Sequence, residues 1–199
     1  TYTEDPKRLC FTLSRYKFVS KMLKGCKNVL EIGCADAFGS ALLLSEVGKL
    51  TCCDIDTTFI NYAKRTHYYK SKIRFIQNDF VKQSLPDKFD GIYLLDVLEH
   101  VSPNDEFQFI SNLVANIEEN GVAIFGIPSQ ESQVYASEIS RQGHVNCKTG
   151  DELKSCLTRF FHNVFIFSMN DEVVHTGFLP MSHYLIALCC SPRVNKFAN

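Results

Sequence analysis

Short apolar runs alternate with amphipathic stretches along this chain, and the two kinds of segment have different periods. The runs are residues 28–32, 50–54, 73–76, 91–95, 122–127, 164–167 and 184–190. Several are rich in Val, Ile, Phe and Tyr and too short for helices, which predicts seven buried strands. The stretches between them carry helical signals. Ser102-Pro103-Asn104-Asp105 predicts a capping box with Pro at the first helical position. Phe107, Ile110, Leu113, Val114 and Ile117 then form one apolar stripe, with Gly121 expected to stop the helix. Thr149 and Glu152 repeat the box ahead of Leu153, Cys156, Leu157 and Phe160. Residues 5–23 place Leu9, Leu13, Tyr16 and Val19 or Ser20 on one side of an opening helix.

Strands alternating with helices imply a mostly parallel sheet covered on both faces, a three-layer α/β sandwich. The end of the chain differs, because no helical pattern separates residues 164–168 from 184–190. That predicts an antiparallel strand pair at one edge of the sheet. The expected organisation is one domain over residues 1–199, with a helical segment at 1–25, a ligand-binding half at 26–128 and an acceptor-side half at 129–199.

Composition narrows the function classes. Formal charge is −1, from 21 Lys and Arg against 22 Asp and Glu, so the basic field used in nucleic-acid binding is missing and no nucleic-acid partner is expected. No apolar run approaches the roughly 20 residues of a membrane span, and no leader segment is seen. The expectation is a cytoplasmic chain without a membrane partner, of open oligomeric state. Nine cysteines is an odd number for a disulfide framework, and free thiols acting as small buried hydrophobes are expected instead. No His and Cys combination has metal-ligand spacing, so no metal is expected.

The strongest chemical signal is Val29-Leu30-Glu31-Ile32-Gly33-Cys34-Ala35-Asp36-Ala37-Phe38-Gly39. An apolar strand enters a turn of small residues and then a predicted helix over 40–46. Such a turn lets backbone N–H groups approach a ligand. The dinucleotide pattern Gly-x-Gly-x-x-Gly is not met, because the frame from Gly33 has Ala35 and Phe38. Asp54 ends the second strand, 21 residues after Gly33, where a carboxylate can accept both hydroxyls of a ribose. Asn78-Asp79-Phe80 ends the third, suited to an adenine amino group and its ring face. Each acid alone is more often a solvated strand-end charge. Their repetition at the carboxyl ends of consecutive strands points to a ligand edge.

These motifs, with Cys53-Asp54-Ile55, Gln77-Asn78-Asp79 and Phe89-Asp90…Leu95-Asp96-Val97-Leu98-Glu99-His100-Val101, resemble those of class I S-adenosylmethionine-dependent methyltransferases. The likeness is closest to the small-molecule branch that includes quinone-biosynthesis enzymes, and it spans residues 29–128. It implies a Rossmann-like fold and S-adenosyl-L-methionine as cofactor. By position it implies that Glu31, Gly33, Ala35 and Gly39 hold the methionine end. Asp54 would bind the ribose, Ile55 would pack on the adenine, and Asn78, Asp79 and Phe80 would meet the base. Leu95 would offer its backbone, and Arg15 and Tyr16 could reach the methionine carboxylate. The family turn usually has Gly where this chain has Ala35 and Ala37, whose Cβ atoms are expected to forbid a left-handed backbone.

Methyl transfer needs alignment first and a base only for an acceptor that must lose a proton. His100 and His144 are the candidate bases; a hydrogen-bonded structural role is the alternative for each. His175 and His183 are weaker candidates. The expected function is methyl transfer to a small-molecule acceptor, at oxygen. The alternatives are a non-catalytic cofactor-binding or interaction module, and an NAD(P)-dependent oxidoreductase.

Overall fold

All seven apolar runs form strands, and a short eighth joins them in a single sheet. In the computed structural model, which describes residues 6–66 and 71–193, the strands are β1 (Asn28–Ile32), β2 (Lys49–Asp54), β3 (Ile73–Gln77), β4 (Phe89–Leu95), β5 (Ile117–Pro128), β6 (Phe161–Asn170), β7 (Val173–His175) and β8 (Tyr184–Pro192). Their order across the sheet is β3-β2-β1-β4-β5-β8-β6-β7. The first five are parallel, and β8 runs antiparallel to both β5 and β6. The strand missed by the sequence pattern is β7, three residues hydrogen-bonded only along the edge of β6. It is too short and too exposed to show an alternating pattern.

The parallel strands are buried on both faces, so alternate residues feed two cores. Leu30, Ile32, Cys53, Ile92, Leu94 and Phe125 face one side. Helices α3 (Glu106–Ala115) and α5 (Gly150–Thr158), the latter following the short α4 (Glu138–Gly143), cover it with Phe109, Ile110, Leu113, Leu153 and Leu157. Val29, Leu50, Cys52, Tyr93 and Ile124 face the other. That side is covered by α1 (Lys7–Met22) and α2 (Thr57–Thr66), through Val19, Ile60 and Ala63. A sheet between two helical layers is the expected sandwich. Asp5, the expected start of the opening helix, lies outside the described residues. Among the described residues no helix is long and apolar enough to cross a membrane. All nine cysteines are free thiols, and Cys34, Cys52, Cys53 and Cys189 are buried.

Three helix boundaries differ from expectation. The helix expected over 40–46 is a single 3-10 stretch, Gly39–Leu43. The chain must re-enter the sheet at Lys49, and Gly48 there lies flush on the Lys27 backbone, where a Cβ would sit 2.6 Å from the Lys27 carbonyl oxygen. Ser102 does not form a capping box. Its carbonyl accepts from the backbone N–H groups of Asp105 and Glu106, and the helix starts at Glu106. That helix ends at Ala115 rather than near Gly121, because Asn116 leaves it to anchor the loop before β4. The fully buried Asn116 amide donates to the carbonyls of Leu85 and Asp87 and accepts from the Leu85 N–H. Phe107, placed on the apolar stripe, is half exposed; it packs on Phe160, with the Arg159 guanidinium 5.1 Å from its ring centre. The Thr149–Glu152 box forms as expected, each side chain bonding the other's backbone N–H.

Candidate active site

The chain enters the sheet at β1, winds outward to β3, and returns to β4 on the other side of β1. Connections leave in opposite directions at that switch point and open a crevice outside the carboxyl ends of the strands. A cavity of about 530 Å³ lies there. Its walls are Gly33 and Ala35 after β1, Asp54 and Ile55 after β2, Asn78, Asp79 and Phe80 after β3, and Asp96, Val97 and His100 after β4. Ser102, Asp105 and Phe109 close the far side.

The turn after β1 is glycine-like in shape. Gly33 has φ 76°, and a Cβ there would lie 2.2 Å from a Val97 methyl. Ala35 and Ala37 also hold left-handed backbone, with φ of 45° and 57°. The sequence predicts that their Cβ atoms forbid that conformation; the structure shows both alanines adopting it, at a cost in strain. The Asp54 carboxylate braces the turn by accepting from the Ala35 N–H at 2.8 Å and from the Asp56 N–H at 2.8 Å. Asp54 is nearly buried, on the cavity wall, and each of its oxygens keeps a lone pair for a further donor. Asp79 accepts from the Val81 N–H and pairs with Lys82 at 3.0 Å. The Asn78 amide is engaged with Gln83, and Phe80 packs edge-on to Phe109. Four carboxylates line the cavity, from Asp54, Asp79, Asp96 and Asp105, and no Lys or Arg does among the described residues.

Other sequence-designated residues stand behind the cavity. Glu31 is buried, with one oxygen accepting from the Tyr16 hydroxyl at 2.8 Å and the other from Ser40 and the Cys52 thiol. Burial pushes the Glu31 carboxyl above its usual range, against the pull of the hydrogen bonds from Ser40 and Tyr16. Gly39 lies under the Tyr16 ring, where a Cβ would come within 2.3 Å. This network ties α1 to β1 and props the turn from beneath. Arg15 reaches Asp96 with two contacts of 2.8 and 3.0 Å while its guanidinium stacks 3.7 Å from the Tyr184 ring centre. Leu95 is buried at the end of β4, against Gly126. None of Arg15, Tyr16, Glu31, Gly39 and Leu95 lines the cavity.

His100 and His144 come together at the rim, with ring centres 5.2 Å apart. His100 lines the cavity and His144 lies beside it. The His100 Nδ1 lies 2.9 Å from the Gly143 carbonyl oxygen, and the His144 Nδ1 lies 2.8 Å from the Gln133 amide oxygen. Burial and the His100 charge hold His144 below the usual imidazole range. Beneath them Glu99 is buried, its carboxyl pushed up to about 8 by burial and by the charge of Asp96. Glu99 and Asp96 went unassigned in the sequence, although both lie in the motif after β4. Their signal was position, since an acid ending the strand at the switch point faces the crevice. His175 and His183 stand apart: His175 bonds Asn170 and the Gly177 N–H within the last hairpin, and the His183 backbone pairs with Met169.

A family model described as a methyltransferase domain matches residues 29–121, the segment from β1 into β5. A ubiquinone biosynthesis O-methyltransferase of Rickettsia canadensis is 29% identical over 125 residues, covering 61% of this chain and 49% of that protein. The Rickettsia typhi protein of the same name is 30% identical over 125 residues, covering 60% of this chain and 46% of its own length. This chain thus spans about half the length of these relatives. Among solved structures, the N-methyltransferase NodS of Bradyrhizobium japonicum, in complex with S-adenosyl-L-homocysteine, superposes with a TM-score of 0.69 over 92% of this chain and 86% of that one, at 22% identity. With its strand order and its matched segment, this chain has the Rossmann-like fold of these methyltransferases and is similar over residues 29–121 to a methyltransferase domain.

Proposed function

We propose that the chain binds S-adenosyl-L-methionine in the crevice after β1–β4 and methylates an oxygen of a small-molecule acceptor. The observation that carries this reading is the charge of the cavity, walled by four carboxylates with no cation among its described lining residues. Ribose hydroxyls, an adenine amino group and a sulfonium are donors or cations that such a wall favours. The diphosphate of a nicotinamide dinucleotide would meet like charges there, and the 3-10 stretch behind the turn offers no long helix N-terminus in compensation. Asp54 is the proposed ribose acceptor, Ile55 and Phe80 flank the base, and Asp79 accepts from its amino group. Gly33 and Ala35 bring backbone close to the methionine end.

When bound, the sulfonium supplies an electrophilic methyl group, so alignment of the acceptor provides most of the rate. An acceptor hydroxyl gives up its proton as its oxygen gains the methyl group. His100 and His144, at the rim, are the candidate bases for that proton. Likeness to the ubiquinone biosynthesis O-methyltransferases supports oxygen as the atom methylated.

Parallel calorimetric titrations with S-adenosylmethionine, S-adenosylhomocysteine and NADH test the assignment. Micromolar binding of the two adenosyl ligands and none of NADH is expected. Asp54→Ala should weaken adenosyl binding by about 2 kcal/mol, roughly 30-fold, as an unpaired ribose edge does. Equal affinity in a folded Asp54→Ala chain would remove Asp54 from the ribose site.

A further inference from the structure

Two segments far apart in sequence meet at the rim of the cavity and bring Glu99, His100 and His144 together. One potential ligand atom from each lies within 4.8 Å of the other two. We propose that these three side chains form a binding site for a divalent first-row cation of the zinc or manganese type, opening onto the cavity. His100 is itself part of the cavity wall.

Three independent features support the site. The first is the state of the imidazoles. Each ring has its Nδ1 beside an oxygen that can only accept, the Gly143 carbonyl for His100 and the Gln133 amide oxygen for His144. The Gln133 orientation is fixed by its own amide nitrogen, which donates to the Ser129 carbonyl at 3.0 Å. In its neutral form each ring therefore carries its proton on Nδ1 and its lone pair on Nε2. An oxygen acceptor on the far nitrogen is the arrangement that orients metal-bound histidines and raises their basicity. The second feature is Glu99. It is 1% exposed, and its Oε2 is buried without a hydrogen-bond partner. An unsatisfied buried carboxylate oxygen is costly, and a cation between it and the imidazoles removes the deficit. Its Oε1 lies 4.0 Å from the His100 Nε2, while tetrahedral ligands about 2.0–2.1 Å from a metal lie roughly 3.4 Å apart. Side-chain rotation covers that difference.

The third feature is the support behind the ligands. The Asn146 N–H donates to the Glu99 carbonyl at 3.0 Å, so the segment carrying His144 is tied to the segment carrying its partners. Two imidazoles and one carboxylate, with further positions open toward a cavity, make a donor set typical of catalytic metals rather than sealed structural ones. In the use we infer, an acceptor oxygen completes the coordination. The cation would then lower the pKa of that hydroxyl and fix its direction, and the proton would leave to solvent as the oxygen takes the methyl group. The imidazoles act as ligands in place of a general base. That use rests on the methyl-transfer reading, whereas the site itself rests only on the side chains.

Cobalt(II) titration of the reduced chain, without adenosyl ligand, separates the two. One equivalent should bind with visible d–d bands and no thiolate charge-transfer band, because the donors are nitrogen and oxygen. His144→Ala and Glu99→Gln should each weaken binding at least 100-fold. Gln133→Ala, which removes only the brace on His144, should weaken it 10- to 100-fold. His175→Ala, in the last hairpin, should leave it unchanged. Circular dichroism confirms that each variant is folded; Gln133→Ala, with no ligand removed, keeps the test decisive if Glu99→Gln does not fold. A thiolate charge-transfer band, an affinity unmoved by His144→Ala and Gln133→Ala, or no binding at millimolar cobalt(II) would each overturn the site. Failure of S-adenosylmethionine to bind, with cobalt(II) bound as expected, would overturn the methyl-transfer reading and leave the site standing.

Discussion

Ala35 and Ala37 hold φ of 45° and 57° in a turn whose shape suits glycine. A left-handed alanine costs roughly 1–2 kcal/mol relative to its preferred backbone, and replacement by glycine returns part of that as unfolded-chain entropy, about 0.5–1 kcal/mol. The two positions then diverge through burial. Ala35 is only half-buried, so Ala35→Gly is expected to stabilise the fold by about 0.5–1 kcal/mol. Ala37 is fully buried, and loss of its methyl group, worth about 0.8 kcal/mol, should leave Ala37→Gly near neutral. Urea unfolding at matched slopes measures both. A destabilised Ala35→Gly chain would mean that its methyl group packs against something the strain argument omits. The same turn shows what a residue pattern can hide. Sequence gives the identity of Ala35 but not its φ, which is imposed by Asp54 accepting its N–H.

Among the elements, Glu106 at the start of α3 joins three pieces of the acceptor side. Its carboxylate pairs with Lys148 at 2.6 Å, accepts from the Asn146 amide at 2.8 Å, and accepts from the Cys156 thiol on α5 at 3.3 Å. Burial pushes its carboxyl up, but the hydrogen bonds from Lys148 and Asn146 and the Lys148 charge outweigh it, holding it below the usual range. A folded pKa below the unfolded value of about 4.3 contributes stability that is complete above that pH and is lost as pH falls through the lowered value. Glu106→Gln should therefore melt at a lower temperature at pH 7 and lose less stability below pH 4, and thermal melts across pH 2.5–7 read both effects. Identical acid limbs in the two proteins would place the acid sensitivity elsewhere. Local signals served well here where both partners lie within one turn, as in the Thr149–Glu152 box. They failed where a distant partner decided the boundary. Asn116 ends α3 because it holds Leu85 and Asp87, some 30 residues away, and no spacing in the sequence encodes that.

For the whole molecule, alternation of strands and helices sufficed to give the sheet and its antiparallel edge, and strand ends sufficed to locate Gly33, Asp54 and Asp79. Parallel strands fed by crossovers have one possible ligand edge, so position along the chain translates directly into position on that edge. The rim is different: Glu99 and His144 meet only because the segment after β5 folds back over β4 and is tied to the Glu99 carbonyl. The cavity joins the turn after β1 to the ends of β2, β3 and β4, so a ligand seated there is bound only by the assembled sheet and not by the unfolded chain. Binding must then appear as global stability. At a concentration 100 times its dissociation constant, a ligand of the native state adds about 2.7 kcal/mol. For a chain of this size each kcal/mol raises the melting temperature by about 2–4 °C, so S-adenosylhomocysteine should raise it by roughly 5–11 °C. NADH should leave it unchanged, because its diphosphate meets carboxylates and no Lys or Arg among the described lining residues, and Asp54→Ala should lose most of the adenosyl shift. A melting temperature raised equally by NADH would show that the acidic wall does not select the ligand. The crevice would then have to be read by shape instead of by charge.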